Sequence, residues 1–121
     1  MPNDNSILPF LPFQKLDVYV AAKEIARLVH EARITHTGLR DQAERASVSC
    51  FLQLAEGLPN DGSGMRKKYF TESNNSLHEV VGAVDLACTL GAISAESAHA
   101  IQELSVRTKR MLRGLLNRRP A

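Results

Sequence analysis

The chain carries only 2 cysteines, and neither stands in a secretory context. The N-terminal stretch MPNDNSILPFLPF lacks a basic region followed by a long apolar one, so it does not read as a signal peptide. A disulfide is not expected without that context, and Cys50 and Cys88, each inside an apolar helical pattern, read as small buried hydrophobes. No apolar run approaches the roughly 18 residues of a membrane span, which makes the expected location cytoplasmic, with no membrane partner. There is no glycine-rich phosphate loop, and no Ser/His/Asp or Cys/His set can be assembled. Aromatic residues make up 5% and do not interleave with the basic ones, which leaves base stacking on a single strand without support. The charge balance is also thin: 15 Lys and Arg against 13 Asp and Glu give a net +2, too little by itself to imply a polyanion partner.

What is present is helical. At 121 residues the chain is one domain, long enough to bury a real core. Pro9 and Pro12 bar a regular helix at the start, so residues 1–12 read as an arm and 13–118 as the folded body. Ile7, Leu8, Phe10, Leu11 and Phe13 make that arm too apolar to be simply solvated; it packs over its own body or reaches a neighbouring copy. Apolar spacing of three and four predicts a first helix over 14–32, with Leu16, Tyr19, Val20, Ile25, Ala26, Leu28 and Val29 on its inner side, interrupted only by Lys23.

A second helix is expected over 39–56, with two apolar stripes. Leu39, Ala43, Ala46, Cys50 and Leu54 form one, mostly small and suited to close helix approach; Val48, Phe51, Leu52 and Ala55 form the other. Glu56 and Gly57 mark its terminus, Glu56 satisfying polar groups there and Gly57 serving as a left-handed cap before Pro59. The polar link LPNDGSG leads to a third helix over 65–90, unbroken through TESNNS, in which Ser73 back-bonds to a preceding carbonyl. Gly91 closes it. Ser94 caps a fourth helix over 95–117. Four long helices, short links and no strand signal predict an all-α fold, an antiparallel up-down-up-down four-helix bundle with an apolar N-terminal arm.

Residues on these helices bear on three chemistries. A di-iron bundle needs two Glu-x-x-His pairs; Glu96 to His99 supplies one, at a helix start, and there is no second, so neither a metal nor any other cofactor is expected. Glu56 and Glu79 lie in apolar surroundings but gather no catalytic partners, so no catalytic residue is assigned and the protein reads as a non-enzyme. Nucleic acid remains. After Glu103 the chain has no acid, and Arg107, Lys109, Arg110 and Arg113 spread across the side away from the apolar stripe. Arg66, Lys67 and Lys68 open the third helix, which in an antiparallel bundle lies near the end of the fourth, so the two clusters could merge into one phosphate-binding end. Self-association is the other expectation: Phe10, Val48, Phe51, Leu52 and Ala55 exceed what a monomer of this size should expose.

The same residues resemble the bacterial four-helix-bundle family of 23S rRNA intervening-sequence proteins, whose relatives include the accessory protein of diversity-generating retroelements. The likeness runs from Phe13 to about Leu116. Phe13, Leu16, Val18 and Tyr19 match an opening Phe-x-x-Leu-x-Val-Trp segment, with tyrosine in place of tryptophan. Gln42, Arg45, Ala46, Val48, Ser49, Ala55, Glu56 and Gly57 match a second-helix pattern near QIRRAAVSIPSNIAEG, with Glu44 replacing a basic residue and Gln53 an asparagine. Arg66 to Lys68, Ser76, Leu77 and Glu79 match a basic start followed by Gly-Ser-Leu-x-Glu, with Asn75 for the glycine. The resemblance implies a homopentameric ring without known enzymatic activity. In the retroelement relatives it further implies a basic surface that binds nucleic acid and a reverse transcriptase, and Glu44 removes positive charge where the family carries it.

Overall fold

The computed structural model describes residues 10–118. A 3-10 turn, Pro12–Lys15, is followed by α1 (Asp17–Ala32), α2 (Thr37–Gly57), α3 (Ser63–Thr89) and α4 (Ala95–Asn117), with no strand among the described residues. Each helix packs on its two neighbours in chain order, and α4 closes back on α1, making a four-helix bundle around one core. Residues 1–9 of the expected arm, with Ile7 and Leu8, lie outside the described residues; Phe10 and Leu11 are exposed.

The first helix does not run unbroken from residue 14. Pro12 starts the 3-10 turn, the Gln14 side chain accepts the Leu11 N–H at 2.8 Å, and Leu16 is extended (φ −71°, ψ 140°). The break has a packing reason. Phe13 and Tyr19 sit 240° apart around a continuous helix, yet here their rings meet edge to face at 5.5 Å. The inner stripe of α1 also differs from expectation: Val18, Ala22, Ile25 and Val29 are buried, whereas Leu16, extended ahead of the helix, and Val20, half a turn round from Val29, are 46% and 47% exposed.

At the next link Arg33 ends α1 in the left-handed region (φ 49°), and His36 rather than a residue nearer Leu39 starts α2. Its Nδ1 accepts the Leu39 N–H at 3.1 Å, a cap that lengthens α2 to Thr37. At the far end Gly57 is not a left-handed cap. It is the last helical residue, with no positive φ, and Leu58 continues in right-handed geometry. Glycine is needed there because of a neighbour: a Cβ would lie 2.9 Å from both Tyr69 Cβ and Phe70 Cε1.

That close approach continues along the whole α2–α3 seam. Ala43, Ala46, Cys50 and Leu54 are buried against Phe70, Leu77, Val80, Val84 and Ala87. The TESNNS run survives inside α3 because its hydroxyls have work in the seam. Ser73 does not back-bond; its Oγ donates across to the Cys50 carbonyl at 2.8 Å and lies 3.4 Å from Cys50 Sγ. Ser49 and Ser76 pair at 2.9 Å, and the Gln42 amide donates to Glu79 at 3.1 Å.

α3 ends as the sequence suggested. Gly91 takes φ +71°, its N–H meets the Cys88 carbonyl at 3.1 Å and the Ala92 N–H meets Ala87 at 2.8 Å, a Schellman closure. Ser94 Oγ then accepts the Ser97 N–H at 3.0 Å and caps α4. The two short links touch, the Thr35 N–H donating to the Ala92 carbonyl at 2.9 Å. At the other end the α2–α3 link borders the last turn of α4 around Leu115 and Leu116.

Candidate interaction surfaces

The seven basic candidates do not form a single surface. Arg66, expected to offer charge to phosphate, is half-buried and occupied. Its Nη1 donates to the Leu58 carbonyl at 2.8 Å and the Asn60 carbonyl at 3.2 Å, and its guanidinium stacks 5.1 Å from the Phe70 ring centre. It ties the end of α2 to the start of α3, satisfying carbonyls that the helix terminus leaves open. Lys67 and Lys68 are exposed beside it. Arg66 and Lys67 share a cleft of about 700 Å³ with Arg118, Phe70, Leu115 and Leu116, so the meeting of the third helix's start with the fourth helix's end runs through Arg118.

Further along α4 the charges divide between two flanks. Lys109 leans over α3, with Nζ 2.7 Å from His78 Nε2 and 3.4 Å from Asn74 Oδ1. Arg107 and Arg110 lie on the opposite flank, where α4 meets α1 in a groove of about 660 Å³ walled by Val20, Leu104 and Met111 with Asp17 and Glu24 beside them. Arg113 is exposed. The Arg27 guanidinium hydrogen-bonds Glu24 and also Glu31, and holds the Glu24 carboxyl below the usual carboxylate range. The basic side of α4 is thus partly balanced by acids of α1.

The apolar candidates separate as well. Phe51 is half-buried and belongs to the chain's own packing, its ring centre 4.8 Å from that of Tyr19. Phe13, Tyr19 and Phe51 therefore form one aromatic cluster joining the 3-10 turn, α1 and α2. The pattern of the second stripe hid this, because a residue on the flank of a stripe can turn towards either neighbour. Val48 and Leu52 do face outward, 49% and 53% exposed, with half-buried Ala55 on the same flank. Phe10 is exposed at the start of the described chain. Glu56 is exposed in the last turn of α2 and makes no hydrogen bond among the described residues, so the terminus is held by Arg66 rather than by this carboxylate.

Sequence reasoning missed Leu86 and Leu90, exposed apolar residues near the end of α3, which fall outside the inward heptad stripe. It also placed Cys88 inside. The thiol is exposed in the last full turn of α3, in a small cleft with Asp85 and His99, whereas Cys50 is buried and its thiol pKa is raised by that burial. Among the described residues no three His, Cys, Asp or Glu side chains gather as metal ligands would, and no helix is long and apolar enough to cross a membrane.

Compared with known families, residues 14–114 match 23S rRNA-intervening sequence protein. The chain belongs to that family. Among solved structures, the chain is similar to a protein of unknown function from the S23 ribosomal protein family of Bacteroides thetaiotaomicron VPI-5482. The two share 15% identity over 84% of this chain and 99% of that one, with a TM-score of 0.74, a likeness of fold. No curated protein matches the chain. The geometry explains what the family's pattern encodes in this member. Gln42 bonds Glu79, Ser49 bonds Ser76, and Gly57 lies against Tyr69 and Phe70, so much of the shared pattern stitches α2 to α3. A motif built from seam residues identifies a fold and names no ligand.

Proposed function

We propose that this protein is a non-enzymatic, homo-oligomeric helical-bundle scaffold of the cytoplasm whose assembled surface presents basic residues to RNA. The observation that carries the reading is the outward flank of α2. Val48 and Leu52 stand about half exposed on a helix whose opposite side is fully engaged in its own bundle, and apolar side chains so placed favour burial by another chain. The family resemblance makes five the expected number of copies. Repetition then multiplies the basic residues that remain free of internal duty, Lys67, Lys68 and Arg113, around one particle.

The tests are separate. Light scattering at micromolar concentration is expected to give a multiple of the 13.3 kDa chain mass; a monomer would remove the scaffold reading. Binding to a structured RNA is expected at low salt and to weaken steeply as salt rises, because phosphate contacts release counterions. Substituting Lys67, Lys68 and Arg113 together by glutamate should weaken all RNA sequences alike.

A second reading, a self-assembling protein–protein module with no nucleic-acid role, is favoured by specific contacts. Arg66 is committed to two carbonyls, Lys109 to His78 and Asn74, and Arg107 and Arg110 sit beside acids of α1. Assembly without RNA binding at low salt selects this reading over the first.

A further inference from the structure

We infer that the cleft between the start of α3 and the end of α4 binds a small amphiphilic anion, an acyl-chain carboxylate. One chain carries the whole cleft, so neither assembly nor RNA is needed to form it. It arises where two helices run out of the core. Phe70 is the first buried residue of α3 and Leu112 the last of α4. Beyond them Leu115 and Leu116 are only half-buried, and the floor keeps apolar surface open. Gly64 stands on the α3 wall, where a built Cβ meets nothing within 4 Å. The space of about 700 Å³ falls within the roughly 300–1,000 Å³ range of small-molecule sites.

The rim is basic. Arg66, Lys67 and Arg118 line the cleft against a single carboxylate, Asp61. The side chains of Lys67 and Arg118 make no ion pair among the described residues. Arg66 is pinned through Nη1 by the Leu58 and Asn60 carbonyls, while the other N–H groups of its guanidinium have no partner among the described residues. A cation already held in place loses less freedom when an anion arrives. The first turn of α3 adds no acid to this rim, so the positive end of the helix is not neutralised locally.

Charge alone would admit any anion, and the floor narrows the choice. Phe70 is 2% exposed with the Arg66 guanidinium stacked on it, so no ring face is open to a nucleobase. What stays open is aliphatic, Leu115 and Leu116. A sugar–phosphate backbone gains nothing by covering leucine. An acyl chain does, since each buried methylene favours binding, and its carboxylate then meets the cations of the rim.

The test is titration calorimetry of the full chain with decanoate below its micelle-forming concentration. One decanoate per chain is expected. Octanoate, two methylenes shorter, should bind roughly tenfold more weakly, near the limit set by burying two methylenes. Decanol, with the chain but no charge, should bind at least tenfold more weakly than decanoate, and inorganic phosphate should not displace it. Methyl NMR spectra should shift Leu115 and Leu116 and leave Leu86 and Leu90, exposed at the far end of α3, unmoved. Arg118→Glu should weaken decanoate at least fivefold. Lys68→Glu makes the same change of charge beside the cleft but not in it, and should leave the affinity within twofold. Both side chains are exposed, so helicity by circular dichroism should match the unaltered protein. Absence of saturable binding overturns the site. Decanol binding as tightly as decanoate reduces it to an apolar patch, and displacement by phosphate reduces it to an anion site; either refutes the assignment. Equal losses in the two variants, or equal shifts at Leu86 and Leu90, would mean adsorption rather than a site. The scaffold and RNA readings survive each of these results, because neither requires the cleft.

Discussion

Replacing Gly57 by alanine sets two known effects against each other. On propensity alone the change should help, since Gly→Ala within a helix gains about 0.5–1 kcal/mol. The geometry opposes it. The new methyl would lie 2.9 Å from Tyr69 Cβ, 2.9 Å from Phe70 Cε1 and 3.1 Å from Phe70 Cδ1. Tyr69 Cβ is bonded directly to the α3 backbone and cannot swing aside. The Phe70 ring is 2% exposed, with the Arg66 guanidinium stacked on it, so it has nowhere to turn. Relief therefore requires α2 and α3 to separate by several tenths of an ångström at their tightest point, which also stretches the Arg66 bonds to Leu58 and Asn60. Overpacking costs about 1–3 kcal/mol, and contacts as short as these take the upper half of that range, so after a propensity gain of about 1 kcal/mol the net expectation for Gly57→Ala is a loss of about 1–2 kcal/mol. For a domain of this length that is a fall in Tm of about 4–8 °C. Thermal melts followed by circular dichroism, at one fixed protein concentration because assembly shifts apparent stability, read it directly. Gly82→Ala is the matched control: also helical, with nothing within 4 Å of a built Cβ, it should gain about 0.5–1 kcal/mol. If Gly57→Ala matched Gly82→Ala, the close seam would not be what holds glycine at this position, and the account of the family's motif as a packing signature would go with it.

Three further expectations follow from single contacts. Ser73→Ala removes the buried bond to the Cys50 carbonyl and should cost about 1–2 kcal/mol in urea unfolding; a neutral result would mean that bond contributes nothing. Arg33→Gly relieves a left-handed residue that is exposed and makes no side-chain bond among the described residues, so Tm should rise, by about 0.5–1 kcal/mol in stability; a fall would refute strain at that link. A thiol reagent at neutral pH should label Cys88 rapidly and Cys50 only on unfolding. Burial raises the Cys50 thiol pKa, the Ser73 hydrogen bond opposing it only in part; equal labelling rates would contradict the buried placement.

Much of the fold was legible because its signals are local. Ser94 caps the helix it precedes, Gly91 needs its positive φ, and the bounds of α4, Ala95–Asn117, lie where spacing and cap together put them. The misreadings share a physical cause: each residue had two partners open to it and the sequence displays only the nearer. Gly57 looked like a cap because Pro59 follows, but it answers to Phe70 across the seam. Ser73 had a carbonyl in its own helix and took one in α2 instead. Phe51 belonged by phase to an outward stripe and turned onto Tyr19. Arg66 counted as free charge until the Leu58 and Asn60 carbonyls beside it came into view. Val20 reads as core by its apolar character, yet it lies nine residues and so half a turn round α1 from buried Val29, which leaves it on the outward wall of the groove between α1 and α4.

The α2–α3 seam also bears on how the chain reaches this state. The two helices are joined by a link of a few residues, and their cross-bonds, Ser49 to Ser76 and Cys50 to Ser73, close loops of modest length, whereas α4 must find α1 from the other end of the chain. Closing short loops first is the faster route. The α2–α3 hairpin is accordingly the expected folding nucleus, with amides that exchange last, and α1 and α4 dock on it afterwards. The exposed Val48 and Leu52 come with the nucleus, and the groove between α1 and α4 forms only with the completed bundle. A chain still folding would thus show its neighbours an apolar flank before its own bundle was closed.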